Sequence, residues 1–291
     1  MDNYLVFIKL NLHPLSEKKT TMSSTHYIIL SWNVDGYNND VHNWLLQLVK
    51  ISRPDVIFLS ETKRKAQDLT SLFSVFTEYN IIINAHIPTN FHGVAMFIRK
   101  DHSYEELPIT MNIPVRKDSK SKEAAIGRII VIRLNKEMYI IGSYTPNSGR
   151  SDKEKLYYRT KLWDPAFFYL LEIIRNNGPT LWIGDINVAL DDIDVSSPQL
   201  MKEYAGFTPE ECANFKALLS TGNWIDVCRF QHPEGRIYTW RGYYQTTNYG
   251  MRIDNIIASK SLLPKMLNAF GLINSPISSD DIPIGVYIKR S

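Results

Sequence analysis

The chain has 291 residues, 44% hydrophobic and 22% charged, so it can bury a sizeable core as one large domain or two small ones. A net charge of +3 permits a nucleic-acid partner without demanding one, and no apolar run is long enough to span a membrane. The two cysteines, Cys212 and Cys228, lack metal-type spacing and read as a reduced intracellular thiol pair.

Residues 1–25 stand apart. Tyr4–Leu10 is briefly apolar, but Asp2 precedes it and Lys9 interrupts it, unlike a signal peptide. The segment has no arginine and carries Asp2 and Glu17, unlike a mitochondrial transit peptide. We expect a loosely attached extension, with Met22 an alternative start, ahead of a domain over 26–291.

Tyr27–Val34 predicts a buried strand ending at Asp35-Gly36. Val41–Ile51 has helical periodicity and stops at Arg53-Pro54, because the residue before proline avoids the helical region. Asp55–Ser60 is the next strand, with Glu61 at its end, and Val94–Arg99 another. Arg116–Lys122 reads as a solvated polar loop. Gly127–Leu134 and Met138–Ser143 form a hairpin turning at Asn135-Lys136, with Tyr144 and Asn147 just beyond. A long helix opens at Ser151 with Glu154 as a capping box and ends at Asn177-Gly178-Pro179. Thr208-Pro209-Glu210-Glu211 opens another, with cap, proline and first-turn acids in order. Tyr238–Trp240 and Ile253–Ala258 are strand-like, joined by an aromatic polar loop, and Ile284–Ile288 is the last strand.

Between the two helices lies LWIGDINVALDDID, Leu181–Asp194. Leu181–Ile183 reads as a buried strand stopping at Gly184, which leaves Asp185 and Asn187 at its carboxyl end. In a layered α/β protein, chemistry gathers at such ends. A carboxylate there orients water or accepts a proton, and an amide donates to a phosphoryl oxygen. Gly-Asp-x-Asn is also ordinary turn chemistry, so the companions decide. The predicted strand ends carry Asn33, Asp35, Glu61, Tyr144, Asn147, Asp185, Asn187, Asp254, Asp280 and Asp281, and six of the ten are carboxylates. Converging carboxylates without cysteine clusters call for a hard cation with oxygen ligands, Mg²⁺ or Mn²⁺.

The stretches SWNVDG (Ser31–Gly36), SETK (Ser60–Lys63), GVAMFIRK (Gly93–Lys100), YTPNSGR (Tyr144–Arg150), GDINVALDDID (Gly184–Asp194), AGFTPEE (Ala205–Glu211), RIDNIIAS (Arg252–Ser259) and SSDDIPI (Ser278–Ile284) occur in one order. Together they resemble the exonuclease III-type apurinic/apyrimidinic (AP) endonucleases of the endonuclease/exonuclease/phosphatase superfamily, from about Tyr27 to Ile288. The resemblance implies a four-layer α/β sandwich, two mixed sheets face to face with helices outside. It implies Glu61 as the main metal ligand, helped by Asp35 and Asp280, with Asn33 nearby. Asp185 resembles the residue that activates water, and Asn187, Asn147 and Tyr144 resemble phosphate and transition-state contacts. Asp254 resembles the acid that orients a catalytic histidine. The same resemblance sets Arg150, Lys63 and Arg128 against DNA, Tyr244 near a wedge position, and Trp240, Met251 and Ile253 around an abasic-sugar pocket.

One departure stands out. The family's last motif reads Ser-Asp-His, whereas this chain has Ser279-Asp280-Asp281. None of the seven histidines lies in a motif that replaces the missing one; His92 is nearest by loop position. The first expectation is a Mg²⁺- or Mn²⁺-dependent, monomeric endonuclease cutting 5′ to abasic sites in duplex DNA, slowed by Asp281. The alternatives are an abasic-DNA-binding pseudoenzyme and another phosphoesterase of the superfamily. No membrane partner is expected. The expected location is intracellular: the nucleus in a eukaryotic source, otherwise the cytoplasm.

Overall fold

In the computed structural model of the chain, residues 25–86, 91–115, 124–244, 247–272, 275–276 and 278–291 are described, with backbone only at 243–244 and 247–248. The strands are β1 (His26–Asn33), β2 (Val56–Ser60), β3 (Tyr79–Ala85), β4 (Gly93–Arg99), β5 (Tyr104–Leu107), β6 (Ile129–Leu134), β7 (Met138–Tyr144), β8 (Thr180–Asp185), β9 (Trp224–Asp226), β10 (Trp240–Tyr244), β11 (Thr247–Met251), β12 (Asp254–Ser259), β13 (Met266–Gly271) and β14 (Ile284–Lys289). Two six-stranded sheets result, ordered β13-β14-β1-β2-β4-β3 and β5-β6-β7-β8-β12-β9, with β10-β11 a separate hairpin.

Strand periodicity explains the layering. Successive side chains point to opposite faces, so Tyr27 and Ile29 of β1 join a core with Ile140 of β7 and Ile183 of β8, between the sheets. Leu30 and Trp32 point the other way, onto α1 (Asn39–Ser52) and α2 (Ala66–Phe73). Ile141 and Trp182 likewise turn outward onto Phe167, Leu171 and Phe215 of the helices on the second sheet. The four-layer α/β sandwich expected from the motifs is the architecture found. Among the described residues no helix is long and apolar enough to cross a membrane.

Helix α1 ends as expected before Pro54, with Arg53 in the left-handed region at φ 44°. The Asn135-Lys136 hairpin is present, both residues at positive φ, which matches the twist of the flanking strands. Four expectations need correcting. The long helix is capped by Asp152, whose side chain accepts from the Lys155 amide, rather than by Ser151. It runs as α3 (Lys153–Tyr157), a π-helical turn (Tyr158–Trp163) and α4 (Asp164–Asn176). Pro165 has no N–H to give the preceding turn, and the ladder widens just before it. The stretch read as a loop after Trp240 is the β10-β11 hairpin, in which Trp240 begins a strand instead of ending one. Arg116–Lys122 lies outside the described residues.

Gly184 does not stop its strand either, since β8 continues to Asp185. Its φ is +146°, and a Cβ added there would lie 2.1 Å from the carbonyl oxygen of Ser143 on β7. The glycine permits close approach of two strands at the point where Asp185 leaves the sheet. Gly184→Ala is therefore expected to lower stability by about 3 kcal/mol or more, from overpacking together with backbone strain. Urea unfolding checks this, and a loss below about 1 kcal/mol would contradict it.

Candidate active site

Strand direction explains the convergence. β1 runs parallel to β2, and β7 parallel to β8, so Asn33, Glu61, Tyr144 and Asp185 all emerge at carboxyl ends. β12 and β14 run antiparallel to their neighbours, so Asp254 and the Asp280-Asp281 pair reach the same end from strand beginnings. Asp254 is paired directly with Asp185.

Asn33 joins the two sheets. Its side-chain amide donates to Glu61 Oε1 at 3.0 Å and Asp185 Oδ2 at 2.9 Å, while its oxygen accepts from the Asp35 amide at 3.1 Å. Asn33, expected near the ion, thus bridges two carboxylates. Asp185 also accepts from the Asn187 amide at 2.9 Å. The Asn187 side chain donates to the Thr145 carbonyl and accepts from Asn147 at 3.0 Å. Asn187 holds φ +52°, unusual for a non-glycine residue, which asparagine tolerates better than most.

Asp35, Glu61 and Lys63 all have positive φ. The Lys63 ammonium contacts Asp35 and lies 2.7 Å from Glu61 Oε2. Burial pulls Lys63 down, but hydrogen bonds to both carboxylates outweigh it and hold the group above its ordinary value. Lys63, expected to face DNA, instead stands between two of the expected ion ligands. The third, Asp280, accepts from Trp240 Nε1 at 2.7 Å. With these partners in place, no three His, Cys, Asp or Glu side chains among the described residues form an ion-holding group. The donor set nevertheless suits a hard divalent ion, since it is all oxygen and two of its carboxylates already hold the Lys63 ammonium between them.

Behind them, Asp185, Asp254 and Asp281 are 2, 2 and 3% exposed. Among the described residues, neither carboxyl oxygen of Asp254, nor Oδ1 of Asp281, has a donor partner. Burial raises Asp254 to about 7. It also pushes Asp281 well up, reinforced by Asp254 and Asp185, and Asp185 well up, reinforced by Asp254 and Glu61. Asp254 and Asp281 are thus two buried carboxyls that can bond each other only through a proton. Tyr144 is raised well above its ordinary value by burial, Glu61 and Asp185, so its hydroxyl keeps its proton. His92 is buried against His86, ring centroids 3.7 Å apart, and lies 6.0 Å from the Tyr144 ring.

A cleft of about 380 Å³ collects most of the expected residues: Asn33, Asp35, Glu61, Tyr144, Asn147, Arg150, Asp185, Asn187, Trp240, Met251, Ile253, Asp280 and Asp281. Tyr204 and Ala205 complete it and were not anticipated. Arg150 lies over the Tyr204 ring, 4.4 Å from its centroid. Arg128 is not among the lining residues; it packs over the rings of Tyr144 and Trp163 at 5.0 and 5.7 Å. Asp254 sits behind the wall, in a second, smaller cavity. The Tyr244 side chain lies outside what is described.

The Endonuclease/Exonuclease/phosphatase family model matches residues 30–266, and the chain belongs to that family. It is 31% identical over 265 residues to the DNA-(apurinic or apyrimidinic site) endonuclease of Dictyostelium discoideum, covering 89% of this chain and 70% of that one. It is 30% identical over 266 residues to DNA repair nuclease APEX1 of Danio rerio, covering 89% and 81%. The crystal structure of AP endonuclease LMAP from Leishmania major shares the fold at TM-score 0.77 and 20% identity, covering 92% and 89%. Within the family, the chain is an enzyme of the exonuclease III-type AP endonuclease branch.

The buried carboxyls set a pH dependence. A carboxyl raised on folding binds a proton that the unfolded chain has already lost, so stability falls as pH rises between the two values. For Asp254 the window runs from 3.8 to about 7. In chelator, the Tm of the native protein should fall from about pH 5 to about pH 8, and that of Asp254→Asn should fall less. Equal slopes would contradict the assignment.

Proposed function

We propose that the chain is a divalent-metal-dependent endonuclease that cleaves the phosphodiester 5′ to abasic sites in duplex DNA, slowed by Asp281. The observation that carries this reading is the Asn33 bridge. It holds Glu61 of one sheet and Asp185 of the other side by side in a cleft that also contains Trp240, Met251 and Ile253. Such a cleft suits a phosphate next to a small apolar sugar, and an abasic nucleotide is cheap to extrude because no base must be unstacked.

Glu61, Asp35 and Asp280 would hold the metal, which supplies Lewis-acid stabilisation of the phosphoryl oxygens. Asp185 takes the proton of the attacking water. The burial that raises its pKa makes its ionised form a stronger base, as neutral-pH proton abstraction requires. The Asn147 and Asn187 side chains and the Tyr144 hydroxyl offer hydrogen bonds to the phosphate. Arg150 is the exposed cation of the cleft, suited to a backbone phosphate and hence to affinity that weakens with salt. Asp281 replaces a donor by a group that donates only when protonated. Its burial without a partner at Oδ1 also favours a second reading, binding of abasic DNA with little turnover.

Cleavage of an abasic-site duplex against an undamaged control, in Mg²⁺ and in chelator, tests the proposal. Cutting should require both the lesion and the metal. Removing one transition-state donor costs about 10²–10³ in rate. Asp281→His should therefore speed single-turnover cleavage at neutral pH at least about tenfold, or about 1.4 kcal/mol of barrier. An unchanged or lower rate would mean that Asp281 does not occupy the histidine's place. Absence of cleavage by both forms would leave binding without turnover as the function.

A further inference from the structure

Arg159 is 2% exposed, yet it lies on a helix whose polar residues would ordinarily face water. Its guanidinium uses nearly all its donors. Nε donates to Asp164 Oδ1 at 2.7 Å, Nη2 to the Ile186 carbonyl at 2.9 Å, and Nη1 to the carbonyls of Pro146 at 2.9 Å and Asn187 at 3.3 Å. Asp164 is held in turn by Asn214 at 3.0 Å. Two of the carbonyls follow Asp185 on the loop after β8, and the third precedes Asn147 on the loop after β7. One side chain thus ties together the two loops that carry the Asp185–Asn187 and Asn147 groups. The π-helical turn brings it there; such turns are often found at functional sites.

We infer that Arg159 is a positioning residue for the reaction. It fixes the peptide planes on either side of Asn187, and so the left-handed conformation from which Asn187 meets Asp185, Thr145 and Asn147. Arg159 has none of the cleft's lining positions, so it acts through Asn187. Only a planar fork reaches three carbonyls and a carboxylate at once; a lysine ammonium is a point charge with three donors. A shift of about 1 Å at a positioned group can cost about 10²-fold in rate. The inference rests on reading the cleft as a phosphodiester-cleaving site.

The test compares the native protein, Arg159→Lys, Asn187→Ala and the double variant in single-turnover cleavage of an abasic-site duplex at saturating Mg²⁺. Duplex affinity is measured separately in chelator. Arg159→Lys should slow cleavage about 100-fold while affinity changes less than about threefold. Asn187→Ala should add little further loss on top of it, since the two act as a unit. A native rate per folded molecule, a loss confined to affinity, or a double variant showing the product of both losses would overturn the inference. Should Arg159→Lys fail to fold, Asp164→Ala removes the acceptor of Nε and leaves the carbonyl bonds. A slowing of about tenfold at unchanged affinity is then expected from the loosened fork, and an unchanged rate overturns it. A readout free of catalysis separates this claim from the function itself. The ¹⁵N side-chain amide resonances of Asn187 and Asn147 should move in whichever of the two variants folds. If the native protein does not cut abasic DNA, the functional reading fails and those shifts alone decide: unmoved resonances overturn the positioning role.

Discussion

The constraint on which this site depends is negative charge gathered at one end of two packed sheets. Asp185, Asp254 and Asp281 are almost wholly buried, with Glu61, Asp35 and Asp280 in the cleft beside them. Carboxylates at such distances cannot all ionise without a counter-charge. The structure answers in three ways. The Asn33 amide donates to two of them, the Lys63 ammonium pairs with two, and the most deeply buried are pushed toward their neutral forms. A divalent ion would be a fourth way, and it distinguishes a site built for phosphate chemistry from one that merely tolerates acids.

The surrounding framework keeps this arrangement from relaxing. Gly142 and Gly184 let β7 and β8 approach Phe58 and each other more closely than a Cβ would allow. Arg252, just after the cleft residue Met251, is fully buried and pairs with Asp194 and Asp226. Those carboxylates are far apart in the chain, Asp194 in a 3₁₀ turn and Asp226 at the end of β9, so the pairs pin the segment that leads into Asp254. Removing one partner of a buried pair strands the other charge, which makes such pairs effective locks even when their net contribution is small. Rigidity of this kind suits a site whose groups must be aimed before substrate arrives.

Much of this was legible in the sequence, because strands buried on both faces write continuous apolar runs and their ends write polar motifs. β1, β2, β4, β7, β8 and β14 fall within one or two residues of their expected bounds, and Thr208 caps its helix as expected. Elements with weaker signatures were missed. β5 has the sequence YEEL, β9 is three residues long, and α2 and the helix Val227–Gln231 are short with few buried positions. At the site, the convergence of Asn33, Glu61, Asp185 and Asp281 could be read from strand ends and motif order. The partners of long cations could not. Lys63 lies on Asp35 and Glu61, Arg128 on two aromatic rings, and Arg159 under three carbonyls. Each looks in sequence like an ordinary surface charge, and only packing across elements decides where its flexible stem leads.

On this reading the carboxyl cluster serves to hold a divalent cation, and carries protons and the Lys63 ammonium in its absence. Calorimetric titration of the metal-free, DNA-free protein with Mn²⁺ tests it most directly, repeated in buffers of different ionisation enthalpy near pH 7. A cation in the cleft would displace the Lys63 ammonium and favour ionisation of the buried carboxyls beside it, so saturable binding with net release of about one proton per ion is expected. Binding of Mn²⁺ with heats independent of the buffer, or no saturable binding at all, would contradict it.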